Sequence, residues 1–232
     1  MKLLLISVLA FAPAVLSAGV IESFDNCDAS AYTVVGGFGS PAATAGAAHD
    51  GACGLPTSGF TYLWAYRDDA AVQVAQGDTI SAWVRLESVA TGRAYFGFGA
   101  SSAGTLSFIL APNTGELMFQ ENANYSQYNI IATTPQSYLE DHWYREEVIW
   151  GAGGSLTGSL YDSDGTTLLN SLSASSTLYS SGGIAFRGFD GAKDFDTISV
   201  GGDAPEPGTY GLMGIALSGL FAICRRRKSL RA

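Results

Sequence analysis

The stretch "TISAWVRLE", Thr79 to Glu87, decides how the rest of the chain is read. Ile80, Ala82, Val84 and Leu86 alternate with Ser81, Trp83, Arg85 and Glu87. Successive side chains of a strand point to opposite faces, so this period of two predicts a strand with one face in a core and the other toward water. "WYREEVIW", Trp143 to Trp150, repeats the pattern, with Tyr144, Glu146, Val148 and Trp150 opposed to Trp143, Arg145, Glu147 and Ile149. Further strands are predicted at Val20–Phe24, Phe60–Tyr66, Ala94–Phe98, Leu106–Ala111, Glu116–Glu121, Leu156–Tyr161, Thr167–Leu172, Ile184–Gly188 and Phe195–Val200. Gly, Ser, Asn and Asp separate them, and no amphipathic helix stands out, so the expected class is all-β.

Turn chemistry makes the connections antiparallel. "NTGE" (Asn113–Glu116) and "DSDG" (Asp162–Gly165) sit between apolar runs, where hairpin loops belong. So many strands must close or fold over, which predicts a jelly-roll sandwich ahead of a barrel or a propeller. The absence of a fixed internal repeat argues against propellers and solenoids.

The chain has 232 residues, enough for one domain with appendages. It carries 12 Lys and Arg against 21 Asp and Glu, a net charge of -9. Half of the bases (Lys2, Arg225, Arg226, Arg227, Lys228 and Arg231) lie at the termini, leaving Arg67, Arg85, Arg93, Arg145, Arg187 and Lys193 between them. Such a surface excludes nucleic acid, whose phosphates need a basic partner. With only His49 and His142 and no Gly-x-Ser-x-Gly turn, the chain offers neither a serine-hydrolase set nor a zinc site. His142 reads as a strand-entry residue, and "DSDG" lacks the remaining ligands of an EF-hand loop.

The two ends are read separately. Lys2, the apolar run Leu3–Leu16 and the small pair Ser17-Ala18 form a secretory signal, so residues 1–18 are expected to be removed by signal peptidase. Pro205-Glu206-Pro207 interrupts any regular element, and the uncharged Gly208–Cys224 is barely long enough for a membrane-crossing helix. Arg225, Arg226, Arg227 and Lys228 then hold the C-terminus in the cytoplasm. The expected order is signal peptide 1–18, sandwich domain 19–203 and sorting tail 204–232. In the oxidising space outside the membrane, Cys27 and Cys53 form a reasonable disulfide, the alternative being two buried thiols.

The tail resembles the PEP-CTERM sorting signal of Gram-negative bacteria on Pro205, Glu206, Pro207, the apolar segment and Arg225, Arg226 and Arg227. The resemblance implies recognition by an exosortase, cleavage near Pro-Glu-Pro, a transient membrane anchor, and release to the cell surface or extracellular matrix. Separately, "HWYREEVIW", "GGSLTGSLYDSDGTTLL", "GGIAFRGFD" and "DFDTISV" in that order resemble the concanavalin A-like or laminin-G-like jelly roll. That resemblance implies a last strand beside the first, "VIESFD", and a calcium ion between them held by Glu22, Asp25 and Asp196. The alternative is that Asp196 accepts backbone hydrogen bonds and fixes a loop.

For carbohydrate, "ENANYSQYN" is the stretch with suitable chemistry: Tyr125 and Tyr128 offer flat apolar faces, and Asn122, Asn124 and Gln127 offer donors and acceptors. A glycosidase needs two carboxyls facing one cleft, whereas Glu146 and Glu147 alternate on a strand. One of them is expected to face solvent or to pair with Arg145 or Arg187. The reading is a non-catalytic structural or adhesive protein in or beside an exopolysaccharide layer; the alternative is a carbohydrate-binding module, and a glycoside hydrolase stands behind it.

Overall fold

The computed structural model describes residues 19–36, 40–57, 64–191 and 193–201, of which Gly19–Gly201 forms one unit. The predicted signal segment 1–18, Phe60–Leu63 of a predicted strand, and the tail with Pro205, Glu206, Pro207, its apolar segment and Arg225–Arg227 lie outside the described residues.

The strands are β1 (Gly19–Glu22), β2 (Thr33–Val35), β3 (Leu55–Pro56), β4 (Trp64–Arg67), β5 (Val74–Ala75), β6 (Thr79–Leu86), β7 (Arg93–Ser101) and β8 (Gly104–Ala111). They continue as β9 (Glu116–Ala123), β10 (Asn129–Pro135), β11 (His142–Trp150), β12 (Ser155–Tyr161), β13 (Leu168–Ser175), β14 (Ser181–Phe189) and β15 (Lys193–Val200). They form a seven-stranded sheet in the order β1-β15-β6-β11-β12-β13, with β3 on β15. An eight-stranded sheet runs β10-β9-β8-β7-β14-β4-β2, with β5 on β14. Every pairing is antiparallel, and the crossovers between the sheets make a jelly-roll sandwich. The first strand lies beside the last, with Gly19 opposite Val200.

The alternation that opens the sequence sets the layers. Ile80, Ala82, Val84 and Leu86 of β6 meet Phe96, Phe98, Phe108, Phe119 and Phe186 of the other sheet in one core. Phe186 is its aromatic centre, with its ring 4.9 Å from Phe195, 5.9 Å from Phe24 and from Tyr32, and 6.1 Å from Phe96. Both predicted hairpin turns form: Gly115 donates to the Pro112 carbonyl and Gly165 to that of Asp162. Gly115 and Gly165 adopt φ of 66° and 70°, which a side chain would strain.

Sequence reading missed β2, β3, β5 and β10. The first three are too short to show a period. β10, "NIIATTP", carries a bulge between Ile130 and Ala132 that breaks alternation, and it ends the sheet, where a proline removes no ladder bond.

The outer face of the seven-stranded sheet is covered near β6 and β15 by the segment around His49. The Cys27–Cys53 disulfide ties it down, with a Cα separation of 5.3 Å. The His49 ring stacks on Trp83 at 3.8 Å, and Arg85 donates to the Gly46 carbonyl and to Asp194. Burial pushes the Asp194 carboxyl up to about 6 against the pull of Arg85.

Candidate functional site

The outer face of the eight-stranded sheet is built differently. Here the residues that point away from the main core form a second cluster, containing Trp64, Tyr66, Tyr95, Ile109, Met118, Tyr125 and Ala185. The register aligns them in rows. Arg187, Tyr95, Ile109 and Met118 lie side by side across β14, β7, β8 and β9, next to a row of Ala185, Gly97, Ser107 and Gln120.

A cavity of about 280 Å³ opens on this face, lined by Arg93 and Tyr95 of β7, Asn113, Gln120 of β9, Tyr128, Ile130 of β10, and Arg187 and Phe189 of β14. It lies at the small end of ligand pockets, which span roughly 300–1,000 Å³. The Arg187 guanidinium is 5.0 Å from the ring centres of Tyr95 and Tyr128, 5.3 Å from Phe189 and 5.7 Å from Trp64. Aromatic faces attract a cation but satisfy none of its N–H donors. Among the described residues Arg187 Nε is buried without a hydrogen-bond partner, as are Gln120 Oε1, Asn122 Nδ2 and Trp64 Nε1 on the same face. Arg187 is 6% exposed and Gln120 1%. Buried polar groups nearly always find partners, so orphans gathered on one face call for partners from outside the described chain, water or a polar ligand.

The carbohydrate candidates separate under this geometry. Tyr128, 49% exposed, lines the cavity, and its hydroxyl donates to the Tyr125 carbonyl at 3.1 Å. Asn124 and Gln127 are exposed in the turn between β9 and β10 and do not line it. Tyr125 and Asn122 are not surface groups, which corrects the expectation. Tyr125 is 5% exposed, stacks on Tyr66 at 5.4 Å and donates to the Ser101 carbonyl at 2.8 Å. Its φ of 56° turns the chain back so that the ring covers the sheet. Asn122 sits in β9, and its Oδ1 accepts from Ser107 Oγ at 2.7 Å. Sequence reading missed Arg93, Tyr95, Gln120, Arg187 and Phe189. The available signal was Arg187 in "IAFRGF", a cation on the face opposite Ile184 and Phe186.

The calcium candidates do not converge. Glu22 Oε2 accepts from Arg67 Nη1 at 2.9 Å and from Tyr32 Oη at 3.0 Å. Asp25 Oδ1 accepts the Ala52 amide at 2.8 Å, and Asp196 Oδ2 those of His49 and Asp50 at 2.7 and 2.9 Å. Burial raises the Asp196 carboxyl while these bonds oppose it. Among the described residues no group of three or more His, Cys, Asp or Glu is placed to hold a metal. Asp196 holds the loop over the seven-stranded sheet through these amide bonds.

Glu146 and Glu147 take opposite faces as their alternation predicts, yet neither faces solvent freely and neither reaches Arg187. Glu147 pairs with Arg145 on the outer face. Glu146 lies fully buried in the core with both carboxyl oxygens unpartnered, and desolvation raises its pKa well above the ordinary value. His142 opens β11 and bonds Asp162 at 2.6 Å.

The fold is an all-β jelly-roll sandwich, and a known structure carries the same architecture. The cellulose-induced protein Cip1 matches with a TM-score of 0.52 and 14% identity over 78% of this chain and 95% of that one. Similar too are the carbohydrate-binding module CBM66 from Bacillus subtilis (TM-score 0.49, 11% identity, 82% and 98% of the two chains) and the endo-β-1,4-glucuronan lyase from the fungus Trichoderma reesei (0.47, 13%, 78% and 93%). These likenesses concern the fold alone. Residues 203–228 match the model of the PEP-CTERM protein-sorting motif, so the chain carries that motif. No curated protein matches in sequence.

Proposed function

We propose that this is an exported protein, sorted by an exosortase, whose sandwich binds carbohydrate without transforming it. Signal peptidase removes residues 1–18, the tail from about residue 204 anchors the chain transiently, and the domain before it then resides at the cell surface or in the extracellular matrix. One observation carries the carbohydrate reading: a sugar-sized cavity on the outer face of the eight-stranded sheet, walled by Tyr95, Tyr128 and Phe189 and floored by polar atoms without partners. Rings supply flat apolar surface to a pyranose, and orphaned donors and acceptors supply hydroxyl contacts. The non-catalytic reading is supported by the separation of Glu146 from Glu147, which gives a glycosidase no paired carboxyls there.

The test is a glycan array probed with the full-length chain in a polyoxyethylene detergent, which carries no sugar headgroup. Binding of at least one glycan that Tyr128→Ala weakens supports the reading; silence across the array, or binding unaffected by that change, overturns it. An adhesive role without glycan recognition predicts the silent result.

A further inference from the structure

We propose that the cavity recognises an anionic sugar, its acidic group held between Arg93 and Arg187; this rests on the carbohydrate reading above. The cations of the described domain are not used alike. Arg67 pairs with Glu22 and Asp69, Arg85 with Asp194, Glu87 and Asp141, and Arg145 with Glu147. Lys193 is buried in β15, its Nζ donating to the Ser88 carbonyl. Arg93 and Arg187 have no carboxylate partner among the described residues, and both line the same cavity.

In a chain of net charge -9, with abundant carboxylates to pair with, two arginines without a direct ion pair lining one cavity are a specific arrangement. Arg93 Nε donates to Asn113 Oδ1 at 3.1 Å, which orients the guanidinium without neutralising it. Arg187 is fixed among four rings, and its Nε is a buried donor that lacks an acceptor. No carboxylate lines the cavity among the described residues. Glu116, on the same face, is held mainly by Thr114 and Thr133, accepting from Thr133 Oγ1 at 2.9 Å; Arg93 acts on it through space, with no direct ion pair among the described residues.

A planar guanidinium matches the two oxygens of a carboxylate or sulfate, and such charge-assisted bonds are about twice as strong as neutral ones. Desolvated arginine held by aromatic rings loses little side-chain freedom when an anion docks. The neighbouring Tyr128 ring and Gln120 Oε1 suit the sugar that bears the acid, the first by apolar contact and the second by accepting a hydroxyl. The acidic surface elsewhere repels a dense polyanion, so the site fits a glycan in which acidic residues are spaced by neutral ones, or a short acidic chain.

The experiment titrates the full-length chain in polyoxyethylene detergent with trigalacturonate, with the neutral galactose trimer made by reducing its carboxyls, and with a sulfated galactose trimer. Tryptophan fluorescence reports binding, since the Trp64 ring stands 5.7 Å from the Arg187 guanidinium. The expected result is that one acidic trimer binds about tenfold or more tighter than the neutral one. Which acidic trimer wins assigns carboxylate or sulfate. Arg93→Gln and Arg187→Lys each remove most of that preference; should Arg187→Lys fold poorly, Arg93→Gln, which loses only the Asn113 bond, decides alone. Equal binding of all three trimers overturns the acidic assignment and leaves the sugar site standing. An acidic preference unchanged in both variants places the acid elsewhere and overturns the inference. If no trimer binds while the array finds other glycans, the inference alone falls; if the array is also silent, both fall.

Discussion

Glu146→Gln is expected to make the protein more stable at neutral pH, although it removes a charge-bearing residue from the centre of the fold. Glu146 faces the core from β11 with Ala82 and Leu160 as its strand neighbours, and neither carboxyl oxygen has a donor. An isolated carboxylate is too costly to bury, so the native state holds this group protonated and its pKa is raised by desolvation. In the unfolded chain a glutamate ionises near pH 4.3. Below that, both states carry the proton and the site contributes no pH dependence. Above it the native state holds one proton more than the unfolded state, so stability falls as pH rises, by about 1.4 kcal/mol per unit while the native carboxyl remains protonated. From pH 5 to pH 7 the loss is about 2.7 kcal/mol, or roughly 5–10 °C in melting temperature for a domain of this size. Gln has the same shape without the ionisation. Thermal melts of both proteins from pH 4.5 to 7.5 give the difference curve, in which the contributions of Asp194, Asp196 and the surface carboxylates cancel. The expected curve favours the variant increasingly as pH rises across that range. Parallel curves over the whole range would refute the reasoning, because they mean that Glu146 is ionised or partnered in the fold.

The two tyrosines of one loop should behave in opposite ways. Tyr125→Ala costs about 3 kcal/mol of stability through the lost stacking on Tyr66 and the cavity it leaves, measured by urea unfolding, whereas Tyr128→Ala leaves the midpoint nearly unchanged and lowers glycan binding. Mass spectrometry of the exported protein should find Cys27 linked to Cys53, and Cys27→Ser should lower stability by about 3 kcal/mol on a chain-entropy estimate for a loop of this length; free thiols in the exported protein would contradict the bridge. Replacing Pro205, Glu206 and Pro207 by alanine should leave an unprocessed membrane form in a host with exosortase, and normal processing would remove the assignment of the cleavage region. Chelation of calcium should leave the melting temperature unchanged, because Asp196 and Asp25 already accept backbone amides and Glu22 an arginine; a fall on chelation would restore the ion site.

What the sequence could reveal follows the range over which each signal acts. The alternation of β6 and β11 is local, and it correctly placed Ile80, Val84, Tyr144, Val148 and Trp150 in the core. It placed Glu146 there as well, on the face it shares with Tyr144 and Trp150. The expectation that one glutamate would meet solvent or an arginine is met by Glu147, which pairs with Arg145, while for Glu146 the period of the strand outweighed the general aversion of carboxylates to burial. The site was less legible because its residues come from β7, β9, β10, β14 and two turns, and only register makes neighbours of Arg187, Tyr95 and Met118. Composition singled out "ENANYSQYN" yet could not divide it. Tyr125 and Tyr128 are chemically alike, and the positive φ at Asn124 and Tyr125 sends one ring onto the sheet and leaves the other at the mouth of the cavity.

The unpartnered atoms of this domain separate fold from function. Each costs on the order of 1–3 kcal/mol when buried, so a fold tolerates few without compensation. Glu146 is relieved by taking up a proton, Asp194 keeps one oxygen on Arg85 while the other is bare, and the Trp150 indole N–H is a single unpartnered donor in the main core. Trp64, Gln120, Asn122 and Arg187 differ in being gathered on one outer face, where the wall includes the Tyr128 ring and the opening includes Arg93. A proton cannot relieve them, since Arg187 is already charged and the indole and amide groups do not titrate near neutral pH. A ligand can reach those that border the cavity, by presenting acceptors to Arg187 and a donor to Gln120. The corresponding face of the other sheet shows what the finished alternative looks like: there Asp196 and Arg85 are met by the His49 segment of the chain itself. The eight-stranded sheet has no such segment bonding Arg187 or Gln120 among the described residues, and the acidic sugar proposed for its cavity would fill the same physical role.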